Sequence, residues 1–217
     1  MAEFTLVVGN KNYSSWSLRA WLMLKQAGAD FDEELIPLYL PGSRNELMRL
    51  SPSGRVPVLR HGELTIWETL AIGEYLAELF PAAGLWPEAK DARAVARSVS
   101  AEMHAGFAAL RGYFPMNMRS AFPNRAATSE AQADINRIAA IWRDCRKRFG
   151  GEGDFLFGDL SIADAMFAPV VSRFRTYKID LDAEAQRYSD AVWALPTMQE
   201  WATAAGNEPM IIEEAEF

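Results

Sequence analysis

Cysteine and histidine are nearly missing from this chain of 217 residues: Cys145 is the single cysteine, and His61 and His104 are the two histidines. A lone cysteine excludes an intramolecular disulfide, and so few soft and imidazole ligands leave little for a transition-metal site. No metal is therefore expected. Basic residues are also in deficit, 22 Lys and Arg against 29 Asp and Glu for a net charge of −7. That balance argues against nucleic acid or an anionic membrane surface as partner. No apolar run is long enough to span a bilayer, and Met1-Ala2-Glu3-Phe4 has none of the basic start of a secretory signal. A cytoplasmic protein is expected. Internal repeats and low-complexity segments are missing too. What remains is 50% apolar content, ample for a packed core in one large domain or two small ones.

Strand and helix patterns alternate over the first third. Phe4-Thr5-Leu6-Val7-Val8 reads as a buried strand, followed by a helix with Leu18, Trp21, Leu22 and Leu24 along it and Gly28 as its stop. Phe31 to Leu38 reads as a second strand, and Arg44 to Leu50 as a short helix. Val56 to Arg60 and Glu63 to Trp67 flank His61-Gly62 as a β-hairpin. A helix from about Thr69 to Phe80 completes a βαβ-ββα order, which predicts a mixed four-stranded sheet. Residues 81 to 91 contain Pro81, Gly84 and Pro87 and read as a linker. Strand signals then cease. One long helix is expected from about Asp91 to Tyr113, another from Ser129 to Phe149. Further helices are expected from Ser161, over about Ala183 to Trp193, and from about Thr197 to Ala205.

The first strand runs into Tyr13-Ser14-Ser15-Trp16-Ser17-Leu18-Arg19. Hydroxyls at a helix start, beside free backbone N–H groups and the positive dipole end, suit an anion such as a thiolate. The same serines also suit plain N-capping. Glu68-Thr69 opens the third helix of this region. A carboxylate there can receive an ammonium while the hydroxyl and N–H groups meet a carboxylate, and a capping pair with a solvated Glu68 is the alternative.

Arg55-Val56-Pro57-Val58-Leu59 followed by Glu68-Thr69 resembles the thioredoxin-like domain of cytosolic glutathione transferases. Gly158-Asp159-Leu160-Ser161-Ile162-Ala163-Asp164 is similar to the capping box that opens the buried helix of that family's all-helical domain. With both marks in order, the resemblance covers essentially the whole chain. It implies a thioredoxin-like domain over 1–80, a linker over 81–91 and an all-helical domain over 92–217 that forms the electrophile pocket. Ser161 and Asp164 are structural in that scheme. The resemblance further implies a homodimer, glutathione as co-substrate, a cis Pro57, Val56 pairing with the cysteinyl backbone of glutathione, and Glu68 with Thr69 at its γ-glutamyl end.

The chemistry implied is ionisation of the glutathione thiol and attack of the thiolate on a small, hydrophobic electrophile. A free thiol with pKa near ~8.5 is mostly protonated at neutral pH, so a donor to sulfur is needed. The Ser-Ser-x-Ser-x-Arg pattern is similar to the zeta class, which assigns the thiol to Ser14 with Ser15 in support. Trp16 stands where that motif has cysteine, which removes mixed-disulfide chemistry. Tyr13 is the rival donor, since other classes use tyrosine near this point. Zeta enzymes include maleylacetoacetate isomerases, and Tyr177-Lys178-Ile179-Asp180-Leu181 is similar to a run in them. Their arginine before the aromatic–lysine pair is replaced here by Thr176, with Arg173 and Arg175 nearby but on other sides of a helix. His104, Phe107 and Arg111 share a helical face at three- and four-residue spacing, either as a pocket wall or as core and surface residues. Cys145 stands among Arg143, Arg146 and Lys147, cations that lower a thiol's pKa, yet far in sequence from the motif, and it reads as incidental. A non-catalytic glutathione-binding protein of the same fold is the alternative of a different class.

Overall fold

The computed structural model describes residues 2–217. Its sheet has four strands, β1 (Phe4–Val8), β2 (Phe31–Leu35), β3 (Val58–His61) and β4 (Leu64–Trp67), in the order β2-β1-β3-β4. β1 and β2 are parallel, with Phe4 opposite Phe31, and are joined by helix α1 (Ser15–Ala27). β3 runs antiparallel to β1 and β4 to β3, with Leu6 opposite Leu59 and Leu59 opposite Ile66. The mixed sheet expected from the βαβ-ββα pattern is present. Two strands are shorter than their patterns suggest, because Pro37 and Pro57 have no N–H to give to a ladder.

Side-chain alternation along β1 divides the core. Phe4, Leu6 and Val8 turn to one face and pack with Leu18, Trp21 and Leu22 of α1 and with Ile72 and Leu76 of α3 (Thr69–Leu79). Val7 turns to the other face, where Val58, Ile36 and Leu47 of α2 (Ser43–Leu50) close a smaller cluster. Gly28 ends α1 at φ 68°, where its N–H reaches the carbonyls of Leu24 and Lys25.

The chain is helical beyond α3. α4 (Lys90–Ala105) and α5 (Ala108–Tyr113) replace the single helix expected over this stretch. Gly106 turns extended at φ −96° and ψ −168°, and Phe107 takes a left-handed φ of 59°. A Cβ on Gly106 would stand 2.7 Å from the Glu102 carbonyl oxygen, so the break depends on glycine. Asp134 then accepts the Leu110 N–H at 2.9 Å and fixes α5 against α6 (Ser129–Cys145). The tail of the expected Ser129–Phe149 helix is a π turn over Arg146–Gly150.

α7 (Ile162–Thr176) is buried along almost its whole length and packs on α1, α4 and α8 (Ala183–Ala194). It therefore ties the sheet region to the helical region. Its start is the expected capping box: the Asp164 carboxylate accepts the Ser161 N–H at 2.8 Å and hydroxyl at 2.9 Å, and also the Leu156 N–H at 3.0 Å. α9 (Pro196–Asn207) completes the bundle, with Trp201 buried against Trp21 at a ring separation of 5.3 Å. Among the described residues, no helix is long and apolar enough to cross a membrane.

Candidate active site

The β1–α1 junction is built from small polar side chains because it must turn sharply while buried. Asn10, Asn12, Ser14, Ser15 and Ser17 are all buried. The Asn10 carbonyl accepts the N–H groups of Tyr13 at 3.1 Å and Ser14 at 2.8 Å, which closes the turn. Ser14 occupies the N-cap position of α1, but its side chain does not cap the helix. Its Oγ instead lies 2.7 Å from Ser17 Oγ, which accepts the Gly9 N–H at 3.0 Å. Either hydroxyl can be the donor in this pair; where Ser17 donates, the Ser14 proton is left free to point outward.

That direction is into an open cleft of about 960 Å³. Tyr13, Ser14, Ser15 and Trp16 form its floor, Val56 and residues of α2 one side, and Arg111, Met116 and Arg173 the helical side. The Val56–Pro57 peptide is cis, as the family resemblance implies. Val56 precedes β3, outside the ladder, so its backbone is at hand for an added extended segment.

Tyr13 has a different commitment. Its hydroxyl donates to Glu216 at 2.6 Å and accepts from Arg119 Nη2 at 2.7 Å. Burial, followed by the Glu216 hydrogen bond, holds its pKa above the ordinary tyrosine value. Its proton points to the chain's final residues. Glu208 likewise accepts the N–H groups of Lys11 at 2.6 Å and Asn12 at 3.0 Å, and Arg119 donates to the Glu208 carbonyl at 2.8 Å. Asn12 Oδ1 accepts the N–H groups of Met118 at 2.8 Å and Arg119 at 3.0 Å. The loop carrying the serines is thus clamped from two sides by segments far away in sequence, which local sequence patterns do not register.

Glu68 is exposed at the start of α3 with a left-handed φ of 70°, a strained setting for a non-glycine residue. Beside it the Thr69 hydroxyl is fully buried without a hydrogen-bond partner. Neither residue belongs to the cleft lining, so they form a separate polar corner past β4. His104 Nε2 lies 3.5 Å from the Glu68 carboxylate, and its ring meets the edge of Trp16 at 5.0 Å. The structure thus puts His104 at this corner and Arg111 in the cleft. Phe107 leaves their shared face and is buried in the core, because the Gly106–Phe107 break reverses the backbone.

Cys145 contradicts the notion of an activated thiol. It is buried on α6, and desolvation, with Asp144 adding to it, pushes its pKa up to about 12 despite the neighbouring cations. Arg173 and Arg19 were both visible in the sequence, Arg19 as the arginine of the Ser-Ser-x-Ser-x-Arg pattern, but neither could be aimed from it. Among the described residues, no group of three or more potential metal ligands is assembled.

Comparison with known proteins now gives the class. The descriptions "Glutathione S-transferase, N-terminal domain" and "Glutathione S-transferase, C-terminal domain" match residues 13–79 and 125–201. A maleylacetoacetate isomerase of Rattus norvegicus is 30% identical over 176 residues, spanning 77% of this chain and 76% of its own. A probable maleylacetoacetate isomerase of Vibrio cholerae is 31% identical over 180 residues, spanning 76% of this chain and 77% of its own. A Burkholderia glutathione transferase homologue solved with bound glutathione superposes with a TM-score of 0.71 at 27% identity, over 93% of this chain and 97% of its own. The architecture is the thioredoxin-like plus all-helical fold of glutathione transferases. The chain belongs to the glutathione transferase family and is zeta-like within it.

Proposed function

We propose that this protein binds glutathione along the cleft and activates its thiol at Ser14 for attack on a small electrophile. The observation that carries the reading is the Gly9–Ser17–Ser14 relay ending at the cleft beside the N-terminus of α1. In that relay the Gly9 N–H polarises Ser17, Ser17 donates to Ser14, and Ser14 donates to sulfur. The helix dipole adds to the stabilisation of the thiolate. Ser15, without a protein partner for its hydroxyl and facing the cleft, supports the same atom. Val56 pairs with the cysteinyl backbone. Glu68 receives the γ-glutamyl ammonium, and the orphaned Thr69 hydroxyl with the first N–H groups of α3 receives the carboxylate. The thiolate forms a bond to the electrophilic carbon as the leaving group departs with its electron pair.

The working unit of this reading has domains over 1–80 and 92–217 joined by 81–91, assembles as a homodimer, and acts in the cytoplasm. A second reading, cis-trans isomerisation by addition and loss of glutathione, is favoured by the relatives named maleylacetoacetate isomerase. It lacks the arginine expected at Thr176, whose hydroxyl is taken by the carbonyls of Asn117 and Ser172. The test is purified protein with glutathione and either 1-chloro-2,4-dinitrobenzene or maleylacetoacetate. Conjugate without isomerisation supports the transferase, and isomerisation far above conjugation supports the second reading. Glutathione binding with neither product marks a non-catalytic binder.

A further inference from the structure

Arg19 is a fully buried cation with no counter-ion. Its Nε donates to the Met166 carbonyl at 2.8 Å, but neither Nη atom has a partner. None of the ion pairs among the described residues includes it. The charged groups around it offer no compensation. Arg173 of α7 and Arg111 of α5 are cations themselves, and His104 of α4 meets only the edge of Trp16, with its Nε2 turned to Glu68 before α3. Burial, with the charges of Arg173 and Arg111 adding to it, pushes the Arg19 pKa well down. A guanidinium nevertheless keeps its proton at neutral pH. An unpaired charge in such a place costs stability, and one hydrogen bond between α1 and α7 returns only part of that cost.

The position of Arg19 defines what its charge faces. Ser14 precedes α1, Ser15 opens it, and Arg19 follows Ser15 by four residues, so both lie on one helical face. Side chains on a helix lean toward its N-terminus. The Arg19 guanidinium accordingly lies 4.3 Å from the ring of Trp16, three residues back. Ser14, Ser15 and Trp16 line the cleft and Arg19 does not, so the charge stands behind the floor that carries the serines. The first turn of α1 holds no acidic residue. The positive end of the helix dipole and the buried cation therefore act in the same direction on an anion above the serines, and burial leaves little solvent to screen the cation.

We propose that Arg19 is a positioning charge for the thiol: from behind Trp16 it stabilises the thiolate of bound glutathione through space, in addition to the hydrogen bond from Ser14. This inference rests on the glutathione reading above. The S–H proton passes to solvent and its electron pair stays on sulfur; Arg19 exchanges no proton and touches no reacting atom. The thiolate in turn is the counter-charge that no residue of the chain supplies. A unit charge about 10 Å away, acting through an effective dielectric of about 20, moves a pKa by about one unit.

The test is Arg19→Met, an unbranched and uncharged replacement, with Arg19→Gln as the second variant should the first not fold. One readout is the thiol pKa of bound glutathione, from thiolate absorbance against pH. The other is calorimetric affinity for S-methylglutathione, whose sulfur does not ionise. The variant should raise the thiol pKa by about one unit and leave S-methylglutathione affinity within about twofold, since only the ionised sulfur feels the charge. It should also unfold at a temperature no lower than wild type, because an unpaired buried charge has been removed. An unchanged thiol pKa in a folded variant that still binds S-methylglutathione overturns the proposal alone. A lower unfolding temperature together with weakened S-methylglutathione binding would make Arg19 a tie between α1 and α7, and overturns it as well. Failure of wild type to bind either glutathione or S-methylglutathione would instead remove the glutathione reading, and this proposal with it.

Discussion

Ser14 and Tyr13 are adjacent, yet their hydroxyls have opposite fates. Ser14 pairs with Ser17 at the lining of the cleft, whereas Tyr13 gives its proton to Glu216. Adjacent positions at a helix start point in different directions, so the type of side chain could not decide between them in advance. Trp16, in the motif's cysteine place, is a platform for Arg19 and Arg111. Cys145 is set apart from all of this. A thiol with pKa near 12 and almost no exposure is inert at neutral pH. A disulfide reagent should therefore find no reactive thiol in native protein and one per chain after denaturation. Fast labelling of native protein would contradict its described burial. Glu68→Ala should weaken glutathione binding by roughly tenfold to a hundredfold, since losing a hydrogen bond to a charged group costs about 1.5 to 3 kcal/mol. Calorimetry on the folded variant checks this.

Helix α7 shows how far local signals carry. Its capping box was legible because both partners lie within four residues, Ser161 and Asp164. The same holds for Gly28 after α1 and for the Val56–Pro57 and Glu68-Thr69 marks, whose patterns are contiguous. The break between α4 and α5 was not legible. It arises from the close approach of Gly106 to a carbonyl and from Asp134, which arrives from another helix. Arg173 on α7 was likewise unaimable until α5 and the loop after it supplied Phe114. Burial raises the Asp164 pKa to about 6, against hydrogen bonds from Leu156, Ser161 and Tyr188 that lower it. A carboxyl whose folded pKa exceeds its unfolded value near ~3.9 binds more protons folded than unfolded between the two. Its contribution to stability therefore falls as pH rises from about 4 to 6. Ser161→Ala should cost about 1 kcal/mol, within the range for lost N-caps, and lower the thermal midpoint. Denaturant titration should show an unchanged slope with a shifted midpoint.

Across the whole molecule, the last ten residues act as a strap over the serine loop. Glu208 holds Lys11 and Asn12, Glu216 holds Tyr13 and Arg119, and Ala215 accepts from Asn117. Burial raises the Glu216 pKa, but the bonds from Tyr13 and Arg119 outweigh it and hold the carboxylate below its ordinary value. Its contribution is complete above the unfolded carboxylate pKa near ~4.3 and is lost as pH falls through the folded value. Protection of residues 10–13 and 208–217 from hydrogen exchange, relative to the intrinsic rate at each pH, should therefore fall on acidification below about pH 4. Glu216→Gln should produce the same loss of protection at neutral pH. Protection that is equal in variant and wild type would mean that the strap does not depend on this carboxylate.

The account depends above all on Ser14 and the glutathione sulfur, and the most direct measurement is thiolate absorbance of the glutathione complex titrated against pH. Wild type should show a thiol pKa below the free value near ~8.5. Ser14→Ala should raise it by roughly one to two units, the equivalent of a lost hydrogen bond of about 1 to 3 kcal/mol, while glutathione stays bound. Tyr13→Phe should leave the curve in place, because that hydroxyl serves Glu216. A curve that moves only in Tyr13→Phe, or a wild-type pKa equal to that of free glutathione, would contradict the account.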